Sequence, residues 1–395
     1  MAPRIAIVHD WIVSMRGGER VLESLCRLYP RAPVFTLRYE PHAVSAAIAA
    51  HDVRTAFTDL LARHLPLGSA GFRMLLPLFP MAIESLPLGE FDLVISSSHA
   101  VAKGAVAAPG ALHLSYVHSP MRYIWEAADD YAPAVPGGLL GRAAFAALSR
   151  RLRRWDVAST KRVHAMAANS VYTQARIRRV YGRDSQVIEP PVDAARFAQI
   201  PDPAPSPSAA PIYLCVSALV PYKRVELAVR AFSELGRPGE RRRLVVVGDG
   251  PERARLTRLA GPDVELRGRV DEDELFALYA ACRAVVHPAL DDFGIVPVEA
   301  LAAGRPVVAF AAGGSLDSVR DGETGVLFAE PTPRSLAAAL DRLEGLTFDP
   351  ARLRAAAQRF DRVSFERRFS AFVQSSLESF LSSRRPTRLS APHAP

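Results

Sequence analysis

Two carboxylates separated by eight positions frame the segment DDFGIVPVE at residues 291–299. Asp291 follows the apolar run AVVHPAL, and Glu299 falls in the first turn of a helix, because Pro297 is typical of a helix start. The backbone N–H groups of residues 293–296 lie between the two acids. Carboxylates accept hydrogen bonds from hydroxyl groups, and free N–H groups at a helix start bind phosphate. The segment therefore predicts a site for a polyhydroxylated ligand that carries a phosphate.

Glu299 also has a purely structural interpretation. An acidic residue in the first turn of a helix interacts favourably with the helix dipole and needs no ligand. Val296 stands three residues before Glu299, where a capping box would require serine or threonine. Asp292 is predicted to be a structural neighbour of the Asp291 and Glu299 pair. Both interpretations of Glu299 stay open on these residues alone.

Three other turns that follow predicted strands carry groups suited to a phosphate. Gly17 and Gly18 precede the helical pattern GERVLESLCRLY, so their N–H groups can approach an anion at the positive helix end. Lys223 and Arg224 stand where the helix RVELAVRAF begins, and cations there oppose the helix dipole unless an anion is bound. Gly248 ends the strand RLVVV and leaves room for a ligand near the backbone. The spacing matches neither GxGxxG nor a Walker loop, which disfavours a dehydrogenase or a P-loop protein.

Two further polar motifs have competing interpretations. His118 ends the strand LHLSYVH, so it either points into a ligand cleft or packs as an ordinary histidine. The acids DED at 271–273 look like a metal-binding DxD pattern. They open the amphipathic helix ELFALYAAC, however, and acids cap and stabilise a helix N-terminus. We predict a cap, and we expect neither a metal nor a cofactor.

The composition is that of a globular protein with a basic excess. Of 395 residues, 49% are apolar and 23% charged, and the net charge is +8. The chain contains only three lysines, so arginine provides nearly all of the positive charge. A basic excess favours anionic partners, but no nucleic-acid-binding signature accompanies it, and we predict no nucleic-acid partner. The three cysteines show neither disulfide nor metal-ligand spacing, which indicates a cytoplasmic protein.

Neither a signal peptide nor a transmembrane helix is predicted. His9 and Asp10 interrupt the first apolar run, and Arg73 together with two prolines breaks the apolar segment that begins at Leu65. This segment is either a core helix with a loop or a patch that contacts a membrane surface. The second alternative would bring the protein to the inner face of the cell membrane.

Short apolar strands alternate with helical patterns in both halves of the chain, which is typical of βαβ units on parallel sheets. We predict an N-terminal domain at 1–200 and a C-terminal domain at 212–383. The proline-rich stretch 201–211 has the composition of a linker, and 384–395 that of a disordered tail. Ligands of such sheets bind at the carboxyl ends of the strands. The predicted fold class is therefore α/β, with two doubly wound Rossmann-like domains facing a central cleft.

The motifs and their order resemble the family four retaining glycosyltransferases of GT-B fold, in particular a bacterial mannosyltransferase-like branch that builds surface polysaccharides. The matching segments run from Ile7 to about Phe328 and are HDWIVSMRGGERVLE, SSSHAVAKGA, YVHSPMRYIWE, ANSVYTQARI, VIEPPVD, SALVPYKRV, VVGDGPE and DDFGIVPVEALAAGRPVVA. The resemblance implies transfer of a hexose, with mannose favoured, without a metal. GDP-mannose would be the favoured donor, and a glycan or polyprenyl-linked glycan the acceptor.

The resemblance also implies roles for single residues. Asp291 would contact the transferred sugar, and Glu299 the ribose of the nucleotide. His118 would lie beside the reacting face of the sugar, while Lys223 would neutralise the pyrophosphate. Lys103 and Arg122 are expected to bind the acceptor. The remaining positions expected around the donor are Gly17, Gly18, Arg224, Gly248, Val270, Phe293, Gly294, Ile295 and Val296.

Two positions depart from the family pattern. Asp291 replaces a glutamate, and Ala218 replaces an arginine five residues before Lys223. A charge-assisted contact contributes about 1.5–3 kcal/mol, so Ala218 predicts weaker stabilisation of the leaving group unless Arg224 takes over. Two alternatives therefore stay open. One is a nucleotide-sugar epimerase or hydrolase of the same fold, and the other is a non-catalytic protein that binds nucleotide sugars.

Overall fold

Two parallel β-sheets organise the chain, as the alternation of strands and helices predicted. The computed structural model describes residues 3–64, 72, 74–125, 138–202, 210–234 and 242–384. The first sheet contains β1 (Ile5–His9), β2 (Val34–Thr36), β3 (Val53–Thr55), β4 (Leu93–Ser98), β5 (Leu112–Val117), β6 (Ala165–Ala168) and β7 (Gln186–Val187). The second contains β8 (Ile212–Val216), β9 (Arg243–Val247), β10 (Val264–Gly268), β11 (Cys282–His287), β12 (Val307–Phe310) and β13 (Gly325–Phe328).

Helices connect the strands within each sheet. Those of the first half are α1 (Gly17–Leu28), α2 (Ala46–Ala49), α3 (Phe57–His64), α4 (Phe79–Glu84), α5 (Arg122–Trp125), α6 (Gly138–Ser159), α7 (Val171–Tyr181) and α8 (Ala194–Phe197). Those of the second half are α9 (Val225–Glu234), α10 (Arg253–Leu259), α11 (Glu272–Ala281), α12 (Ile295–Ala302), α13 (Ser315–Ser318), α14 (Pro333–Glu344), α15 (Pro350–Gln358) and α16 (Arg362–Ser383). The strands and helices named from the sequence patterns are thereby confirmed.

Each sheet reverses its strand order next to its first strand. The orders are β3-β2-β1-β4-β5-β6-β7 and β10-β9-β8-β11-β12-β13, and neighbouring strands run parallel. The central strands β4, β5 and β11 are buried along almost their whole length because helices cover both faces of such sheets. At a reversal the loops diverge to opposite faces and leave a crevice at the carboxyl ends. The crevices lie between β1 and β4 in the first sheet and between β8 and β11 in the second.

The last helix, α16, returns from the second half of the chain to the first sheet. Phe365 and Phe369 are buried in one core with Ile7 and Tyr116, and the ring centroids of Tyr116 and Phe365 lie 5.7 Å apart. The prediction that the second domain extends to residue 383 is therefore wrong for this helix. Phe365, Phe369 and Phe372 form an apolar stripe at helical spacing, which predicts a helix but not the sheet that it covers.

The described part of the apolar segment near residue 72 packs largely in a second hydrophobic core of the first sheet, separate from the one that α16 covers. Phe72 and Phe79 are buried, and both rings contact Trp11. Met74 and Met81 are exposed by 67% and 54%. None of the described helices is both long and apolar enough to cross a membrane. Residues 65–71 and 73, most of the predicted linker (203–209) and the predicted tail from 385 onward lie outside the described residues.

Candidate active site

The loop that follows β11 places Asp291 at the crevice of the second sheet. Its side chain is buried, and Lys223 Nζ donates to both carboxylate oxygens at 2.8 and 2.7 Å. His287 Nε2 lies 3.3 Å from Oδ2 of the same carboxylate. Burial alone would raise the pKa of Asp291, but the charge of Lys223 and the contact with His287 hold it well below its usual range. Asp291 is thus an anion fixed between a cation and an imidazole.

His287 was missed by the sequence analysis, although it lies in the quoted run AVVHPAL at the carboxyl end of β11. The signal that could have found it is the one applied to His118, a histidine that ends a buried parallel strand. Its ring also leaves little room for a side chain at Gly294, because a Cβ there would lie 3.3 Å from His287 Nε2. Gly294 has φ of 84°, which glycine adopts without strain.

The helix α12 begins directly after this turn and carries Glu299. The hydroxyl of Tyr279 donates to Glu299 Oε2 at 3.4 Å. Burial raises the pKa of Glu299, and the charge of Arg20 on α1 opposes that rise. Ile295 and Val296 form the first turn of α12, where backbone N–H groups have no acceptor within the helix. Phe293 is buried beneath them in the core of the second domain.

The crevice of the first sheet is lined by histidines and a serine. Ser97 Oγ lies between His9 Nδ1 at 3.0 Å and His118 Nε2 at 2.8 Å. Burial lowers the pKa of His118 to about 3, with a further contribution from the charge of His99. His118 is therefore a neutral imidazole near pH 7 and acts as a hydrogen-bonding group rather than as a cation. His9 is fully buried, and burial together with the charges of His99 and His118 lowers its pKa well below the usual value.

The first turn of α1 covers these histidines and faces the second domain. A Cβ on Gly18 would lie 3.5 Å from His9 Cε1 and 3.9 Å from the ring of His118. A Cβ on Gly17 would lie 2.8 Å from Cδ1 of Ile295 on α12. The two helix starts predicted to bind phosphate thus meet across the cleft, where Gly17 packs against the side chain of Ile295.

Asp10 is a buried residue for which sequence reasoning found no role beyond interrupting an apolar run. Its carboxylate accepts four backbone N–H groups of residues 99–102 at 2.6 to 2.9 Å. These groups open the loop after β4, so Asp10 fixes the loop that follows Ser97. Its function is to shape the edge of the first crevice.

Lys103 does not bind the acceptor, and that prediction is wrong. Lys103 is fully buried, and its Nζ donates to Oδ1 of Asp156 and to the carbonyl of Ala100. Asp156 also accepts hydrogen bonds from Trp125 Nε1 at 2.7 Å and from the Tyr181 hydroxyl at 2.9 Å. An internal ion pair of this kind removes the lysine from any ligand.

Arg122, predicted to bind the acceptor, reaches across the cleft to the second domain. Its Nη2 donates to Oδ2 of Asp292 at 2.7 Å, and its guanidinium lies 4.9 Å from the centre of the Tyr222 ring. Arg176 donates to the other oxygen of Asp292. Asp292, predicted to be a structural neighbour of Asp291, therefore joins the two domains by accepting hydrogen bonds from two arginines of the first.

Three residues predicted to bind the donor have other contacts. The guanidinium of Arg224 lies 5.1 Å from the centre of the Phe310 ring and lines a cavity of about 270 Å³ with Glu226 and Glu252. No hydrogen bond or ion pair within the described residues joins Arg224 to Asp291. Gly248 has φ of 131°, and a Cβ there would lie 1.9 Å from the carbonyl oxygen of Ser217, so packing alone requires this glycine. Val270 is partly buried against the core of the second domain.

The acids at 271–273 form the cap that the sequence predicted. Asp271 is the N-cap of α11, and its carboxylate accepts the backbone N–H of Glu274 at 2.8 Å. Glu272, Asp273 and Glu274 occupy the first turn of that helix, where acids interact favourably with the helix dipole.

Two Rossmann-like domains with facing crevices define a protein of GT-B fold. The Anabaena protein Alr3699/HepE, solved in complex with UDP, shares this fold with a TM-score of 0.64 and 20% identity over 94% of this chain and 100% of that chain. A sucrose-phosphate synthase from Thermosynechococcus elongatus has a TM-score of 0.67 and 19% identity, with 95% and 100% covered. Residues 197–360 match the family model described as "Glycosyl transferases group 1", which agrees with the resemblance seen in the motifs.

Two curated relatives match only part of this chain. The D-inositol 3-phosphate glycosyltransferase of Kineococcus radiotolerans is 35% identical over 54% of this chain and 56% of its own length. The GDP-mannose-dependent alpha-(1-6)-phosphatidylinositol monomannoside mannosyltransferase of Mycolicibacterium smegmatis is 32% identical over 40% of this chain and 47% of its own length. The chain thus matches about half the length of these relatives.

Proposed function

We propose that the chain is a retaining, metal-independent hexosyltransferase that acts in the synthesis of a surface polysaccharide. It moves a hexose, with mannose favoured, from a nucleotide sugar to a hydroxyl group of a glycan or polyprenyl-linked glycan. One observation carries the proposal. The first turn of α1, at Gly17, meets the first turn of α12, at Ile295, across one cleft, and the loop before α12 carries Asp291 paired with Lys223. Helix starts bind phosphate, and a fixed carboxylate accepts hydrogen bonds from sugar hydroxyls.

The sequence relatives support the choice of donor. The Mycolicibacterium protein is named for its dependence on GDP-mannose, and its match covers 40% of this chain. GDP-mannose is therefore the favoured donor for this chain as well. The acids at 271–273 already serve as a helix cap, which supports transfer without a metal held by that motif.

The proposed reaction breaks the bond between the anomeric carbon of the sugar and the β-phosphate oxygen. The electron pair leaves with the diphosphate, whose growing negative charge would be stabilised by Lys223 and by the N–H groups of Ile295 and Val296. The acceptor oxygen bonds to the anomeric carbon on the same face, and its proton passes to the departing phosphate. Asp291 would hold the sugar, and the neutral His118 would orient its reacting face. Glu299 would bind the ribose.

The acceptor and the location are proposed from surface properties. The net charge of +8 favours an anionic surface. Met74 and Met81 are exposed next to the buried Phe72 and Phe79 and offer apolar contacts to lipid. We propose that the protein works in the cytoplasm at the inner face of the cell membrane, where a lipid-linked glycan would be presented.

The test is a binding and turnover screen with GDP-, UDP- and ADP-hexoses on the parent chain and on Lys223→Ala and Glu299→Gln. The parent should bind one nucleotide sugar, be stabilised by it in a thermal shift, and release the sugar only slowly without acceptor. Lys223→Ala should lower turnover by about a hundredfold to a thousandfold, because it removes charge stabilisation from the leaving group. Glu299→Gln should mainly weaken binding of the nucleotide.

Lys161→Ala is the matched control, since Lys161 is exposed and lies outside the cleft. Rapid release of sugar without acceptor would indicate a hydrolase, and recovery of an altered sugar nucleotide an epimerase. Saturable binding without any turnover would indicate a non-catalytic protein. The site assignment would be wrong if both cleft variants bound and turned over the donor like the parent.

A further inference from the structure

Arg122 reaches from the first domain to the loop that carries the candidate sugar-binding carboxylate. Its Nη2 donates to Asp292 Oδ2 at 2.7 Å, and its guanidinium carbon lies 4.9 Å from the centre of the Tyr222 ring. Lys223 Nζ lies 5.8 Å from the centre of the same ring. Cations from two domains are therefore held beside one aromatic ring, next to Asp291 and Asp292.

The two arginines that contact Asp292 differ in what they can still bind. Arg176 is 2% exposed and donates to Asp292 and to Ser119 Oγ, so it is an internal anchor. The side chain of Arg122 keeps 22% of its surface exposed. A guanidinium has five N–H donors, and among the described residues Asp292 accepts one from Arg122. If Arg122 turned to another anion, Asp292 would stay paired with Arg176, so no partly buried carboxylate would lose its only partner.

Among the described residues of the second domain, Lys223 is the lysine or arginine that forms an ion pair with Asp291. The ammonium group of Lys223 is already held by both oxygens of Asp291. Ala218 is exposed and uncharged, and the guanidinium of Arg224 packs on the ring of Phe310. In the structure, Arg122 adds a positive charge from the first domain next to this loop.

We infer that Arg122 is a catalytic residue whose guanidinium binds the β-phosphate of the nucleotide sugar and stabilises the departing diphosphate. This inference rests on the proposed function. The β-phosphate is the one bonded to the sugar, and Asp291, the proposed sugar contact, lies beside Asp292 to which Arg122 is bonded. Because Arg122 belongs to the first domain, the full positive charge is assembled only when the cleft is closed. Premature loss of the sugar to water is then suppressed in the open state.

The experiment compares the dissociation constants of GDP and GMP by titration calorimetry on the full chain, with UDP and UMP measured in the same way. The variants are Arg122→Ala, Asp292→Asn and the exposed control Lys161→Ala. Arg122→Ala should weaken binding of the diphosphate by about tenfold to a hundredfold and change monophosphate binding by less than about threefold. Asp292→Asn should bind the diphosphate as tightly as the parent or more tightly, because a negative charge beside the phosphate is removed.

A role limited to closing the domains predicts a different result, because both variants break the same bridge between Arg122 and Asp292. The inference is overturned if both variants weaken the diphosphate equally, or if Arg122→Ala binds it like the parent. It is also overturned if Arg122→Ala weakens binding of the monophosphate as much as binding of the diphosphate. This comparison uses Arg122→Ala and the parent alone, so it tests the inference even when Asp292→Asn does not fold. A parent chain that binds no nucleoside diphosphate would instead contradict the proposed function itself.

Discussion

Replacing Lys103 with methionine should destabilise the first domain while leaving donor binding intact. Lys103 and Asp156 are both fully buried, and their ion pair is closed off from water. Methionine keeps most of the apolar stem of lysine but leaves the carboxylate of Asp156 without a cation. Breaking a buried ion pair costs about 3–5 kcal/mol. Asp156 would keep its hydrogen bonds from Trp125 and Tyr181, so we expect a value near the lower limit, about 3 kcal/mol.

The assay is thermal unfolding followed by calorimetry, together with titration of the preferred nucleotide. For a domain of this size, about 3 kcal/mol lowers the midpoint by about 6–12 °C. Lys161→Met is the control, because Lys161 is exposed and its replacement should change the stability by less than about 0.5 kcal/mol. A midpoint within about 2 °C of the parent would refute the stabilising role of the buried pair.

Two further predictions concern the histidines of the first sheet. Ser97→Ala should lower turnover by up to about tenfold with unchanged binding of nucleoside diphosphate, because His118 loses the hydroxyl that orients it. Ser98→Ala is the control and should have no effect, because the Ser98 hydroxyl has no partner among the described residues. Equal losses of turnover in both variants would contradict this prediction. The stability should fall as the pH drops from about 6.5 toward 3, because burial lowers the pKa of His113 to about 3 from its usual 6.5 and only the unfolded chain takes up the proton in that range. His113→Gln should reduce this dependence in thermal unfolding from pH 7 to 4, while His9 and His118 keep their contributions, and an unchanged slope would contradict the prediction.

Much of the site could be located from the sequence because its chemistry sits at strand ends. A parallel strand that is buried on both faces is an apolar run, and the polar residue after it must lie at the carboxyl edge of the sheet. This rule placed Asp291, His118 and the Gly17 turn at the two crevices, as the structure confirms. Their roles toward a ligand stay predictions. The same rule would have identified His287 if it had been applied to every strand.

What the sequence could not supply were partners far apart in the chain. Asp292 and Arg122 are 170 positions apart, and Lys103 and Asp156 are 53 positions apart. Nothing in the local pattern distinguishes a lysine that faces a cleft from one that is paired inside the core. Arg224 was similarly expected beside the phosphate, yet its guanidinium packs on Phe310.

Residue periodicity and turn residues predict the secondary structure, the parallel α/β fold and the edge of each sheet where chemistry can occur, because these signals act over a few positions. The positions of α16 on the first sheet, of Lys103 inside the core and of Arg122 against the second domain are known from the folded structure alone. Burial and charge pairing depend on which surfaces meet when sheets and helices pack. An amphipathic stripe or a lone cation is compatible with several such surfaces until packing selects one.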